Sequence, residues 1–228
     1  MEWRLMMTNP RFTAAAALAM VACMVAPQAW AKQGDVLLRA RAIMVAPNEK
    51  SSAILPAFPG EQVKVNNSVM PEVDVTYMAT DHIGFELIAA TTKHSASGIS
   101  GTTGSLGKLA STWVLPPTLT MQYHPIVDGH VRPYIGAGVN YTLFYSEKPS
   151  AALVAAVGPT KVHMSSSFGL AAQAGVDIDL SEKMFLNFDI KYIGIDTNAR
   201  LNTTAAGVQR VKINLDPIVV GVGIGMRL

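Results

Sequence analysis

Five histidines, one cysteine and two glycine-bearing runs are the residues of this 228-residue chain with the clearest capacity for chemistry. A helical zinc pair needs histidines four residues apart, and His82, His94, His124, His130 and His163 offer no such spacing. His94, Ser95 and either Asp81 or Glu86 have the residue types of a hydrolytic triad. A triad also needs an oriented base and an oxyanion hole, and no spacing here suggests either. Gly98-Ile99-Ser100-Gly101-Thr102 lacks the second glycine of a nucleophile elbow. Gly107-Lys108 ends like a phosphate loop, but Thr102 and Leu109 stand where that loop requires Gly and Ser or Thr. No catalytic residue, metal or cofactor is assigned.

The other chemically capable side chains are ionic, and their spacing is informative. Arg39, Arg41, Arg132, Lys191 and Arg227 face Glu72, Asp74, Glu86, Asp177 and Asp189 in sign, five against five. Each lies on the polar side of a period-two alternation, the mark of a β-strand with two unlike faces. From Met184 to Asp196, Leu186, Phe188, Ile190 and Tyr192 alternate with Asn187, Asp189 and Lys191. Val73, Val75 and Tyr77 likewise oppose Glu72, Asp74 and Thr76.

The elements needed to position these charges are eight strands, at about 35–46, 68–79, 83–92, 112–124, 131–145, 163–179, 184–196 and 210–228. Residues 47–67, 93–111, 146–162 and 197–209 are read as long loops, and 80–82, 125–130 and 180–183 as short turns. That rhythm predicts an all-β, eight-stranded antiparallel transmembrane barrel of up-and-down meander order, with both mature termini at the short-turn, periplasmic side. Half the residues are hydrophobic, only 15% are charged, and the mean hydropathy is +0.27, too apolar and too poor in charge for an ordinary water-facing surface. A soluble lipocalin-like carrier would need its apolar face inside; the scarcity of charge favours lipid outside. An Arg or Lys on the lipid face costs about 2–4 kcal/mol at mid-bilayer, so the ionic rows are placed in the lumen as a salt-bridged plug. In the last strand the apolar set moves from Val211, Ile213 and Leu215 to Val220, Val222, Ile224 and Met226, which predicts a bulge near Asp216-Pro217.

Residues 1–31 are read as a cleaved secretory signal, with Arg4 and Arg11, an Ala-rich apolar core and Ala29-Trp30-Ala31. The lone Cys23 falls within it, so the mature chain has no disulfide and no thiolate ligand. From Lys32 onward 16 basic and 15 acidic residues remain, a balance that argues against nucleic acid as a partner.

Several runs carry a family resemblance. His82-Ile83-Gly84-Phe85-Glu86-Leu87-Ile88, Leu115-Pro116-Pro117-Thr118-Leu119-Thr120, Arg132-Pro133-Tyr134-Ile135-Gly136 and the tail Asp216-Pro217 to Arg227 resemble, in order and spacing, the OmpW family of outer-membrane barrels. Leu228 departs from the terminal phenylalanine usual there. The resemblance implies a Gram-negative outer-membrane protein that carries small hydrophobic solutes through a narrow, porin-like barrel, with an exit through the wall into lipid. It also implies outer-membrane lipid around the barrel, and periplasmic chaperones and the barrel-assembly machinery as partners in biogenesis. Ile54, Leu55, Phe58, Leu153 and Val157 are placed at the channel mouth over Phe144, and Pro116-Pro117 and Pro133 as sites of local wall opening. Two other readings are a receptor or adhesion-type barrel acting through loops, which phage or bacteriocin could exploit, and a membrane-embedded enzyme acting on lipid.

Overall fold

The computed structural model describes residues 32–228, and there the alternation closes into a cylinder. In chain order the strands are β1 (Val36–Ala46), β2 (Lys50–Ser51), β3 (Val63–Val65), β4 (Ser68–Met78), β5 (Ile83–Ala90), β6 (Thr92–Gly98), β7 (Lys108–Leu115) and β8 (Thr118–Tyr123). They continue as β9 (Val131–Pro149), β10 (Thr160–Met164), β11 (Ser167–Asp179), β12 (Met184–Ile193), β13 (Asp196–Thr203), β14 (Gly207–Asn214) and β15 (Ile218–Arg227). Two short helices, α1 (Gly101–Leu106) and α2 (Ala151–Val157), lie in the long connections. The expected signal falls outside the described residues.

Eight strands make the closed wall, in the order β1, β4, β5, β8, β9, β11, β12 and β15, with β15 returning to β1. Every neighbouring pair is antiparallel. Closure leaves no strand edge inside the bilayer, where an unsatisfied backbone group costs several kcal/mol. Both ends of the described chain lie at the short-turn end, where Leu37 pairs with Arg227. Val36 and Leu228 exchange main-chain hydrogen bonds of 3.3 and 2.9 Å.

At the other end the wall rises beyond the cylinder, and four segments expected as loops are structured. The segment 47–67 contains β2 and β3, 93–111 contains most of β6 together with α1, and 146–162 contains α2. The segment 197–209 is mostly hairpin, β13 pairing with β14 from Asp196↔Asn214 to Thr203↔Gly207. Its alternation was legible: Thr197 and Ala199 are buried, whereas Asn198 and Arg200 are exposed. β10, β13, β14 and β2 form a second sheet, and β6 and β7 extend the ladder on the other side up to β9.

The expected bulge at Asp216-Pro217 is a misreading. Tyr192 pairs with Ile218 below the break and Asp196 with Asn214 above it, with three residues between on each strand. The register therefore does not slip. Odd-numbered residues face inward throughout, from Val211, Ile213 and Leu215 to Val219 and Arg227. What changes is the solvent on each side. Below the break the outside is apolar, with Val220, Val222 and Ile224; above it Lys212 is exposed and the apolar residues turn in. The ladder is interrupted all the same. Asp216 adopts a positive φ of 33°, and its Oδ1, rather than a main-chain carbonyl, accepts from Ile195 N at 3.1 Å.

Phe188, Ile190, Tyr192, Leu119, Met121, Tyr123, Phe168 and Leu170 remain exposed on the cylinder. A continuous apolar band of this kind is untenable in water and natural against acyl chains. The charged rows are interior, which removes the lipocalin-like alternative.

Candidate functional site

All ten ionic side chains expected in the lumen are buried there. β1 supplies Arg39 and Arg41, and β4 supplies Glu72 and Asp74 directly across the ladder at Arg39↔Asp74 and Arg41↔Glu72. Arg41 sits at the centre. It donates to Asp74 and, at 2.8 Å, to Glu86 Oε1, and lies 3.2 Å from Glu72 and 3.3 Å from Asp189. Lys191 Nζ bridges Glu72 and Asp189 at 2.9 and 2.7 Å. Arg39 holds Asp74 at 3.1 Å, Asp177 at 3.0 Å and the Thr76 hydroxyl at 2.7 Å. Around Glu86 Oε2, Gln173 Nε2 donates at 2.6 Å and Thr120 Oγ1 at 3.0 Å. Buried ionic groups of this density are stable only when such hydrogen bonds satisfy them.

Towards the turn end the plug has a second layer, where the expected Arg132 and Arg227 join Asp179, Phe185 and Tyr134, which sequence reasoning missed. Asp179 accepts from Arg132 Nη1 at 3.0 Å and lies 3.3 Å from Arg227 Nη2. Phe185, fully buried, presents its ring to the guanidinium carbons of Arg39, Arg132 and Arg227 at 5.5, 5.8 and 5.9 Å. Guanidinium over an aromatic face at such distances is favourable. Tyr134 donates to Asp189 Oδ2 at 2.8 Å and accepts from Asn187 at 3.0 Å. The inward glycines make room for these rings. A Cβ on Gly225 would strike the Phe185 ring, and one on Gly175 the Tyr134 ring. Phe185 and Tyr134 were legible from parity alone, since both share the inward face with Asn187 and Arg132.

Above the plug the interior changes from ionic to apolar. On β1 the inward row passes from Arg39 and Arg41 to Ile43 and Val45; on β5 it passes from Glu86 to Ile88 and Ala90. On β12 it passes from Asp189 and Lys191 to Ile193, and Ile195 follows before β13. These residues line a chamber whose floor includes Glu72 and whose wall includes Pro47, Pro116 and Pro217. A second space shares His94, Val114 and Leu215 with it. That space in turn shares Ala96, Val162 and Ile213 with an upper cavity. The shared lining residues set the three in a row from the loop end down to the plug.

Four of the six residues expected at the mouth, Ile54, Phe58, Leu153 and Val157, line the upper cavity. Leu55 does not. Its backbone pairs with Arg210 on β14, and its side chain, 50% exposed, lies with Arg210 and His163 on the outer surface. Ile54 and Leu55 are adjacent on an extended segment, so only one of them can face in. Phe144 packs, half-buried, on the apolar core beside Val114, with which it pairs. Pro133 faces Val176 beside the plug, far from the chamber, and so is no wall opening for it. The roof is fastened by Glu61, whose carboxylate accepts from Thr102 N at 2.9 Å and Thr103 N at 2.7 Å at the start of α1. Hydrogen bonding from the Thr103 side chain, together with those main-chain bonds, favours the charged form and holds its carboxyl below the usual glutamate range.

The histidines are dispersed. His82 Nδ1 meets the His124 carbonyl at 2.7 Å, His163 is on the outer surface, and His94 lies in the chamber wall. Among the described residues no group of three or more His, Cys, Asp or Glu is placed to hold a metal.

Residues 32–228 match the family model described as the OmpW family. Outer membrane protein W of Vibrio cholerae is 35% identical over 82% of this chain and 85% of its own length. That of Escherichia coli is also 35% identical, over 85% of this chain and 88% of its own. The crystal structure of the outer membrane protein OprG from Pseudomonas aeruginosa superposes with a TM-score of 0.81 at 32% identity, covering 86% of this chain and 97% of that one.

Proposed function

The chain belongs to the OmpW family of outer-membrane barrels, and from that premise we propose that it is a passive conduit for small hydrophobic molecules. The observation that carries the reading is the switch in interior polarity. An apolar solute can descend from the roof to the chamber, losing little because the path is lined by Ile, Val, Leu and Ala. It cannot continue along the axis. Beneath lie paired ions whose separation would leave charges buried without partners, at a cost of several kcal/mol each. An apolar molecule in the chamber therefore leaves sideways, into the bilayer that surrounds the wall at that height.

Prolines interrupt the wall at two places beside the chamber. Pro47 and Pro217 stand where β1 and β15 end, and neither has an N–H to donate. Pro116 and Pro117 interrupt the wall between β7 and β8 in the same way. The exit runs through one of these interruptions. In this reading the short-turn end, with both termini, faces the periplasm, and the roofed end faces the medium.

The experiment is uptake of a hydrophobic solute by cells with and without the barrel. Uptake rises with the barrel, falls when Ala90→Trp fills the chamber, and is unchanged by Leu55→Trp on the outer surface. Equal uptake with and without the barrel would overturn the proposal and favour a receptor acting through its roof.

A further inference from the structure

The chamber has few polar atoms, and nearly all are occupied. Thr118 Oγ1 donates to the Pro116 carbonyl at 2.9 Å. His94 Nδ1 lies 2.9 Å from the Asn66 carbonyl, so it carries the proton there, and Nε2 accepts from Thr92 Oγ1 at 3.0 Å. Glu72 differs. Its Oε1 takes Lys191 at 2.9 Å and Arg41 at 3.2 Å, while its Oε2 has no hydrogen-bond partner among the described residues. The side chain is 4% exposed and borders the chamber floor. One carboxylate oxygen thus stands open at the bottom of an otherwise apolar space.

We propose that Glu72 Oε2 is a head-group recognition point, and that the preferred solute is amphipathic: an apolar tail with a head that donates a hydrogen bond, an alcohol or an alkylammonium. The tail would lie along Ile43, Ile88, Ile193 and Val219, and the head would meet Oε2. A carboxylate head is disfavoured on two grounds. The chamber wall has no free donor to receive it, and in the layer beneath three cations, Arg39, Arg41 and Lys191, are shared by five carboxylates. A hydrogen bond to a charged acceptor out of water is strong enough to change affinity about tenfold or more. This inference rests on the conduit reading, because it needs solute to reach the chamber.

The test is binding to the barrel in lipid nanodiscs, with empty nanodiscs subtracted, read by fluorine NMR of tail-fluorinated octan-1-ol, octylammonium, octanoate and octane. The alcohol and the ammonium bind about tenfold more tightly than octane, octanoate binds more weakly than either, and Ala90→Trp abolishes all binding. Glu72→Gln removes the preference for ammonium over octane while octane binding persists. The comparison of heads on the unaltered protein stands even if that variant fails to fold. Equal affinity for all four probes, each still lost in Ala90→Trp, would overturn the head-group site and leave the conduit intact. No saturable binding by any probe would overturn both.

Discussion

Arg41→Met is the sharpest probe of the plug. The guanidinium serves Glu72, Asp74, Glu86 and Asp189 at once. Once it is gone, Lys191 still holds Glu72 and Asp189 at 2.9 and 2.7 Å, and Arg39 still holds Asp74 at 3.1 Å. Glu86 keeps Thr120 and Gln173. No carboxylate is left bare, but four must share two cations where they shared three. Breaking a buried ionic contact from one side costs about 3–5 kcal/mol, and methionine fills the volume, so the loss expected is electrostatic and of that size. The assay is reversible urea unfolding of the barrel folded into lipid vesicles, followed by the fluorescence of Trp113. Adding Asp74→Asn removes one of the four carboxylates left sharing two cations, so the double variant is less destabilised than the sum of the singles by about 0.5–3 kcal/mol. A loss below about 1 kcal/mol for Arg41→Met, with no coupling to Asp74, would mean that water screens the lumen, and the closed-plug reasoning would fail.

The other predictions concern the outer surface and the roof. Val222→Arg puts a charge against mid-bilayer and costs about 2–4 kcal/mol, whereas Val208→Arg, on the outside of β14 beyond the apolar band, stays within about 0.5 kcal/mol; equal costs in the same urea titration would misplace the membrane boundary. The carboxyl of Glu61 is held below its ordinary value, so its cap on α1 is fully present above about pH 4 and is lost as pH falls through the lowered value. Amide exchange at Thr102 and Thr103 should accelerate only on that acid side, and in Glu61→Gln it should be insensitive to pH across the same range once intrinsic exchange is divided out.

Much of this architecture was written in alternation. Leu186, Phe188 and Ile190 against Asn187, Asp189 and Lys191 determine a strand with unlike faces, because successive side chains on extended backbone point to opposite sides. Eight such segments with short and long connections determine the meander, and the five cations and five carboxylates on the inward parity determine the plug. The second plug layer was equally accessible, since Phe185 and Tyr134 share that parity; aromatic residues at strand ends simply resemble membrane-belt residues when read singly.

Other features belong to the assembled cylinder. Whether an apolar row faces lipid or lumen depends on height along the barrel axis, a property of closure and not of any one strand. The exchange of apolar and polar faces around Asp216 therefore looks, in one dimension, like a slipped register, although the ladder continues in phase on either side. Leu55 and Ile54 are equivalent as residues, and only pairing with Arg210 sends one outward and the other into the cavity. Local sequence determines the period because that is backbone geometry. The tertiary structure decides which medium each face meets, because that is set by the distant strands that surround it.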